Sequence, residues 1–312
     1  MLQIHDSHKN SDLSQPLYTP INFELTEIIK PEKAILVNNT RMVVEKGTVR
    51  HVTRNLHWKS DLREPITRGI NNLSNTCYLN SVMQILLNTP CIYYGVQQGL
   101  NNSEENGKGK VNLNNVLTEL VSICRAKTMT PSYLVNNIFK LDKRFVRGRQ
   151  QDSHEFFLLF LNNISKELSD SFKGKMLSQV VCNKGHISET QEEFFNLTLS
   201  IQRSGNLKNS LKNYFQPSNP IKGYFCKNCR KETVIRKSYV PKTNPSILVL
   251  HLTRFDRLGR KVKSYLPFDF EMQFNGDEYS LYGTVEHLGG NINFGHYIAY
   301  VHGANKIWYR VS

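Results

Sequence analysis

Two residues far apart in this 312-residue chain have the makings of a nucleophile and its base. Cys77 closes the Asn-rich stretch Gly69-Ile70-Asn71-Asn72-Leu73-Ser74-Asn75-Thr76 and opens a segment whose Leu79, Val82, Met83 and Leu86 recur at helical spacing. At a helix N-terminus, unbonded N–H groups and the positive end of the dipole favour a thiolate over a thiol. An isolated cysteine is more often a core residue, but core packing does not call for so many amides ahead of it. A nucleophilic cysteine needs a base. His296 follows Gly295 at the head of a strand-like run, and His251 and His154 compete with it; residue types alone leave the three open. Cys226-Lys227-Asn228-Cys229 has the spacing of half a zinc ribbon.

These groups must be positioned by two kinds of scaffold. Helical patterning runs from Thr76 to Pro90, recurs over Leu113–Cys124, and starts again at Thr130-Pro131 through Phe139. Asp152-Ser153-His154-Glu155 resembles a capping box ahead of Phe156, Phe157, Phe160, Leu161 and Ile164. The second half changes period: residues 247–255, 279–287, 296–301 and 306–311 are β-branched and aromatic, with glycine turns between them. A helical lobe followed by an antiparallel sheet reads as α+β, with a cleft between the lobes. Residues 1–68 are polar and mixed, with little periodicity, and read as an N-terminal extension that is partly ordered at best.

Composition excludes whole classes. At 39% hydrophobic and 21% charged the chain can bury a core and is not globally disordered. Six cysteines are too few for a disulfide scaffold, and Cys91 and Cys124 sit on apolar faces and read as core. The first residues have no apolar signal region, and the longest apolar runs are far short of a membrane span. The expected partners include no membrane, and the expected setting is the cytosol or nucleus. The net charge of +14 is scattered, so it serves solubility before it serves an acidic partner.

The Cys77 segment, Gln150-Gln151-Asp152-Ser153-His154-Glu155-Phe156, His251-Leu252-Thr253-Arg254-Phe255 and Gly295-His296-Tyr297 resemble, in order, the motifs of the ubiquitin-specific proteases, and Cys226-x-x-Cys229 and Trp308-Tyr309 also fit. The likeness covers about residues 69–312. It implies a papain-like cysteine deubiquitinase with a helical thumb (about 69–177), zinc-bearing fingers (about 178–245) and an antiparallel-sheet palm (about 246–312). It makes Cys77 the nucleophile, His296 the base and Asn72 an oxyanion donor, a position that the residues alone read as a turn amide bonding its own backbone. It assigns Asp152, Glu155 and Tyr297 to the substrate side; helix capping alone also explains the two acids.

Three features depart from the family pattern. The third triad member falls on Ser312, whose hydroxyl or terminal carboxylate would accept from the imidazole, and the family's last strands do not follow it. Ser74 stands where the family mostly has glycine. In place of the family's second Cys-x-x-Cys, the chain offers Cys182 and His186, which complete a Cys₃His zinc set with Cys226 and Cys229; the other reading is a finger tip held by packing without metal. The functional expectation is hydrolysis after the C-terminal glycine of ubiquitin. A catalytically weak ubiquitin-binding scaffold is the alternative, and a salt-sensitive nucleic-acid binder the third reading.

Overall fold

The computed structural model describes residues 18–21, 33–38, 40–45, 48–55, 66–97, 130–202, 204–256, 258–291, 294–302 and 307–311. The helix expected over Leu113–Cys124, Cys124 itself and Ser312 lie outside the described residues. In chain order the elements are β1 (Tyr18–Ile21), β2 (Lys33–Asn38), β3 (Thr40–Glu45), β4 (Thr48–Asn55), α1 (Cys77–Leu87), α2 (Pro90–Gln97), α3 (Ser132–Leu141), α4 (Ser153–Leu161) and α5 (Lys166–Ser169). There follow β5 (Gly174–Cys182), β6 (Ile187–Phe194), β7 (Leu197–Ser200), α6 (Leu207–Phe215), β8 (Ile221–Cys226), β9 (Lys231–Thr243), β10 (Ile247–Thr253), β11 (Glu271–Phe274), β12 (Asp277–Leu288), β13 (His296–His302) and β14 (Trp308–Val311). Among these no helix is long and apolar enough to cross a membrane.

The main sheet has the order β1-β14-β13-β12-β2-β10-β7, with β11 folded back on β12. All its pairs are antiparallel except β7 with β10. A second sheet, β6-β5-β9-β8, projects from it. The two N-terminal strands in the main sheet depart from the reading of residues 1–68 as an extension. Lys33–Asn38 lies between β10 and β12, and Tyr18–Ile21 pairs with β14. Four- and six-residue strands carry too little alternation to stand out in a polar stretch.

Burial on both faces explains the apolar runs. Ile247 and Val249 of β10 face the helices, whereas Leu248, Leu250 and Leu252 face a second core under α6. β13 divides the same way, with Tyr297, Ala299 and Val301 on the helical side and Ile298 and Tyr300 on the other. A strand covered on both sides reads as continuous hydrophobicity rather than alternation.

α1 is the keystone of the helical lobe, and every one of its residues is buried, not only the apolar stripe. Its polar face receives the incoming chain. Asn80 Nδ2 donates to Ile70 O at 3.0 Å, Asn88 exchanges hydrogen bonds with the Ile66 backbone at 2.9 Å, and Gln84 donates to Ile66 O. The apolar side lies on β13 and β12. There Gly283 leaves room for Ile85, whose Cδ1 would stand 2.8 Å from a Cβ at that position.

Candidate active site and metal centre

The register of α1 on the sheet sets the site. Ile85, near the C-terminal end of α1, touches Gly283, which pairs with Val301 near the C-terminal end of β13. From there Cys77 lies about 12 Å back along the helix and His296 about 16 Å back along the strand. Both are the first residues of their elements, and α1 packs along β13. Both candidates thus precede that contact in their own elements, and side-chain ties join the loop before Cys77 and the turn before His296 to one span, Gly148–Gln150.

The loop before Cys77 is locked by its own amides. Asn72 Oδ1 accepts from Thr76 N at 3.0 Å and from Thr76 Oγ1 at 3.1 Å. Leu73 N donates to Thr76 Oγ1 at 3.0 Å. Ser74 and Asn75 both take left-handed backbone, with φ of 70° and 59°. Asparagine tolerates that region, whereas serine pays for it, which is the physical reason glycine suits position 74. Asn75 Nδ2 donates to Gly148 O at 2.8 Å. Cys77 itself is 6% exposed.

His296 is half-buried, and burial, then the Arg310 charge, hold it below the ordinary value of histidine. It is therefore the neutral imidazole at pH 7, the form able to take a proton. The turn leading into it is gripped from both sides. Gln150 Nε2 donates to Gly295 O and Gly295 N donates to Gln150 Oε1, each at 3.0 Å. On the inner side lies His287, 2% exposed, whose ring is 4.8 Å from that of Tyr297 and edge-on to Phe255 at 5.6 Å. Burial, then Lys261 and His296, push its pKa down to about 4, partly offset by Asp152. The rival histidines occupy each other: His154 and His251 stack at 3.8 Å between α4 and β10.

At the tip of the second sheet, Cys182, His186, Cys226 and Cys229 bring their ligand atoms within 4.8 Å of one another. His186 Nδ1 lies 3.5, 3.7 and 3.2 Å from the sulfurs of Cys182, Cys226 and Cys229, and the Cys182 and Cys229 sulfurs are 3.9 Å apart. A tetrahedral ion with bonds of about 2.3 Å to sulfur and 2.0–2.1 Å to nitrogen calls for edges of about 3.8 and 3.5 Å. The four residues fit a metal. Burial opposes ionisation of Cys182, yet the N–H groups of Lys184 and His186 and the neighbouring thiols bring it down to about 7. Burial, with the neighbouring thiols of Cys226 and Cys182, pushes Cys229 up to about 11. The crowding of these sulfurs is what a bound cation would relieve.

A sequence profile of the ubiquitin carboxyl-terminal hydrolases matches residues 68–312. The chain belongs to this family. Ubiquitin carboxyl-terminal hydrolase 23 of Arabidopsis thaliana is 27% identical over 281 residues, covering 79% of this chain and 33% of the relative. Hydrolase 36 of Drosophila melanogaster is 27% identical over 282 residues, covering 78% and 27%. The chain thus spans about a third or less of these relatives' length. Among solved structures, the SAGA DUB module of Ubp8, Sgf11, Sus1 and Sgf73 bound to monoubiquitin superposes with a TM-score of 0.69. That match has 23% identity and covers 81% of this chain and 65% of the other. The fold is that of a ubiquitin-specific protease, with thumb, palm and fingers.

Within this family frame the other sequence-predicted residues fall as follows. Asp152 caps α4, accepting from His154 N at 2.6 Å and Glu155 N at 2.9 Å. Glu155 reaches Arg144 at 3.5 Å and does not close the second half of a capping box. Tyr297 is 9% exposed and belongs to the thumb–palm core. Cys91 is buried as expected. Nothing in the sequence marks out Asn75, Gln150 or His287. The first two were visible only as members of motifs, and His287 carried no signal beyond its residue type.

Proposed function

We propose that this domain is a cysteine-type ubiquitinyl hydrolase that cuts after the C-terminal glycine of ubiquitin in protein conjugates. The observation that supports the reading is that Asn75, just before Cys77, and Gly295, just before His296, are both tied to the one short span Gly148–Gln150. The ubiquitin-bound state of the matching module supports ubiquitin as the partner.

The chemistry follows from the groups present. His296 takes the Cys77 thiol proton, and the sulfur adds to the glycine carbonyl. The oxygen becomes an oxyanion beside the N-terminus of α1. Asn72 has its Oδ1 tied to Thr76, so its N–H₂ points away from that turn. It would donate to the oxyanion, a contribution worth about 2.7–4 kcal/mol in comparable sites. The protonated imidazole then gives its proton to the leaving amine as the C–N bond breaks. His296 next deprotonates water, which attacks the thioester and frees the ubiquitin carboxylate and Cys77. Asp152 and Glu155 at the head of α4 would meet basic residues of ubiquitin's tail.

The metal at the finger tip would be zinc: three thiolates with one imidazole are a structural zinc set, and no open position remains for catalysis. It would rivet the hairpin ends of β5–β6 and β8–β9.

A ubiquitin probe bearing a C-terminal electrophile tests the reading. One label per chain at Cys77, abolished in Cys77→Ala, is expected. Folded protein that binds ubiquitin without labelling would establish the scaffold instead.

A further inference from the structure

Two contacts flank the reacting pair without touching either reacting atom. Asn75, two residues before Cys77, holds Gly148 O through its side-chain amide at 2.8 Å. Gln150 holds the residue before His296 through two hydrogen bonds of 3.0 Å, one given and one received. Between these ties lies only the span Gly148–Gln150. A carboxamide laid against the N–H and C=O of one residue, with donor and acceptor both matched, reproduces the pairing of two strands, and it cannot slide without losing both bonds. Gly295 cannot retreat inward either. A Cβ there would meet His287 Nε2 at 2.1 Å and Leu288 O at 2.5 Å, so its backbone already lies flat on the buried ring. Gly148 has a φ of 78°, so the span turns through backbone that only glycine adopts freely.

We propose that Gly148–Gln150 is a strap that sets the separation and alignment of Cys77 and His296. Asn75 and Gln150 are positioning residues acting in series, and His287 is the inner backstop. The role deepens the hydrolase reading and rests on it for the reaction, but the pairing it controls is a property of the free chain. Misplacing reacting groups by about 1 Å costs on the order of 10²-fold in rate. Links in series fail together: once either end is loose, loosening the other changes nothing, so their effects do not add.

The variants are Gln150→Met, which keeps length without hydrogen bonds, and Asn75→Gly, which keeps the left-handed backbone without the amide. Their double and Gln150→Glu, which keeps the acceptor for Gly295 N, complete the set. With a fluorogenic ubiquitin C-terminal amide as substrate, each single variant should lower kcat by about 10- to 100-fold with KM little changed. The double should be no worse than the weaker single, and Gln150→Glu should recover part of the loss. Independently of ubiquitin, iodoacetamide alkylation of Cys77 at pH 6, located by mass spectrometry, should fall in the same variants while alkylation at pH 9 is retained. Thermal unfolding confirms that each variant is folded.

Unchanged kcat, multiplying effects, or unaltered alkylation at pH 6 would each overturn the strap. A rise in kcat/KM would also overturn it, making the Gln150–Gly295 pair a barrier to the substrate tail instead. A wild-type chain that cleaves no ubiquitin would sink the hydrolase reading alone, with alkylation still deciding the strap.

Discussion

The finger tip and the cleft are built from the same two side chains and reach opposite ends. At the tip, three cysteines and one histidine converge within 4.8 Å because tight turns bring Cys182 to His186 and Cys226 to Cys229. Strand pairing between β5 and β9 then joins the two halves. At the cleft, Cys77 and His296 belong to elements that share no hydrogen-bonded ladder. What relates them is a helix lying on a sheet and side-chain ties from the loop before Cys77 and the turn before His296 to one span. Sulfur and imidazole crowded together make a cation site. Kept as a single pair, they have the chemistry of the proposed nucleophile and base. The difference lies in how many ligands the backbone delivers, not in the chemistry of any one of them.

Separating the two centres is the largest expected effect. Cys77→Ala should cost at least about 10⁴-fold in hydrolysis while retaining one zinc per chain by metal analysis. Cys229→Ser should release the zinc and loosen β5–β9 to hydrogen exchange, yet leave Cys77 open to alkylation. If either substitution disabled both centres, the separation drawn here would be wrong.

Within the cleft, Asn72→Asp keeps the acceptor for Thr76 but removes the N–H₂ donor. Steady-state assays should show kcat lowered by about 10²–10³-fold with the melting temperature nearly unchanged. A loss of stability without loss of kcat would return Asn72 to the role of a turn residue.

His287 gives the palm an acid limit that the metal tip does not set. Its folded pKa near 4 lies below the ordinary 6.5, so the unfolded chain takes up the proton first. Stability should fall as pH drops from 6.5 toward 4, by at most about 3 kcal/mol. Denaturant titrations across that window should show the slope, and His287→Gln should flatten it.

The smallest effect concerns the strained nucleophile loop. Ser74→Gly relieves a left-handed serine at φ 70°, and should raise unfolding free energy by about 1 kcal/mol in denaturant titrations without altering metal content. A decrease would mean that the Ser74 hydroxyl does work that its backbone conformation conceals.

Much of this protein was legible in the residues themselves because the signals are local. Helical spacing after Cys77, the Asp152 cap, the apolar runs of β10 and β13 and the Cys-x-x-Cys turn depend on neighbours within a few positions, where chain geometry leaves few choices. The likeness of ordered motifs carried the pairing of Cys77 with His296, which no local pattern can specify. Only the folded structure decided that Asn72 is fastened to Thr76, that Asn75 holds Gly148 and Gln150 holds Gly295, that His287 lies beneath Gly295, and that Lys33–Asn38 enters the palm. Each of these depends on which surfaces meet. A side chain's partner across a fold is fixed by packing of whole elements, and that sum over distant contacts is written in no single stretch of sequence.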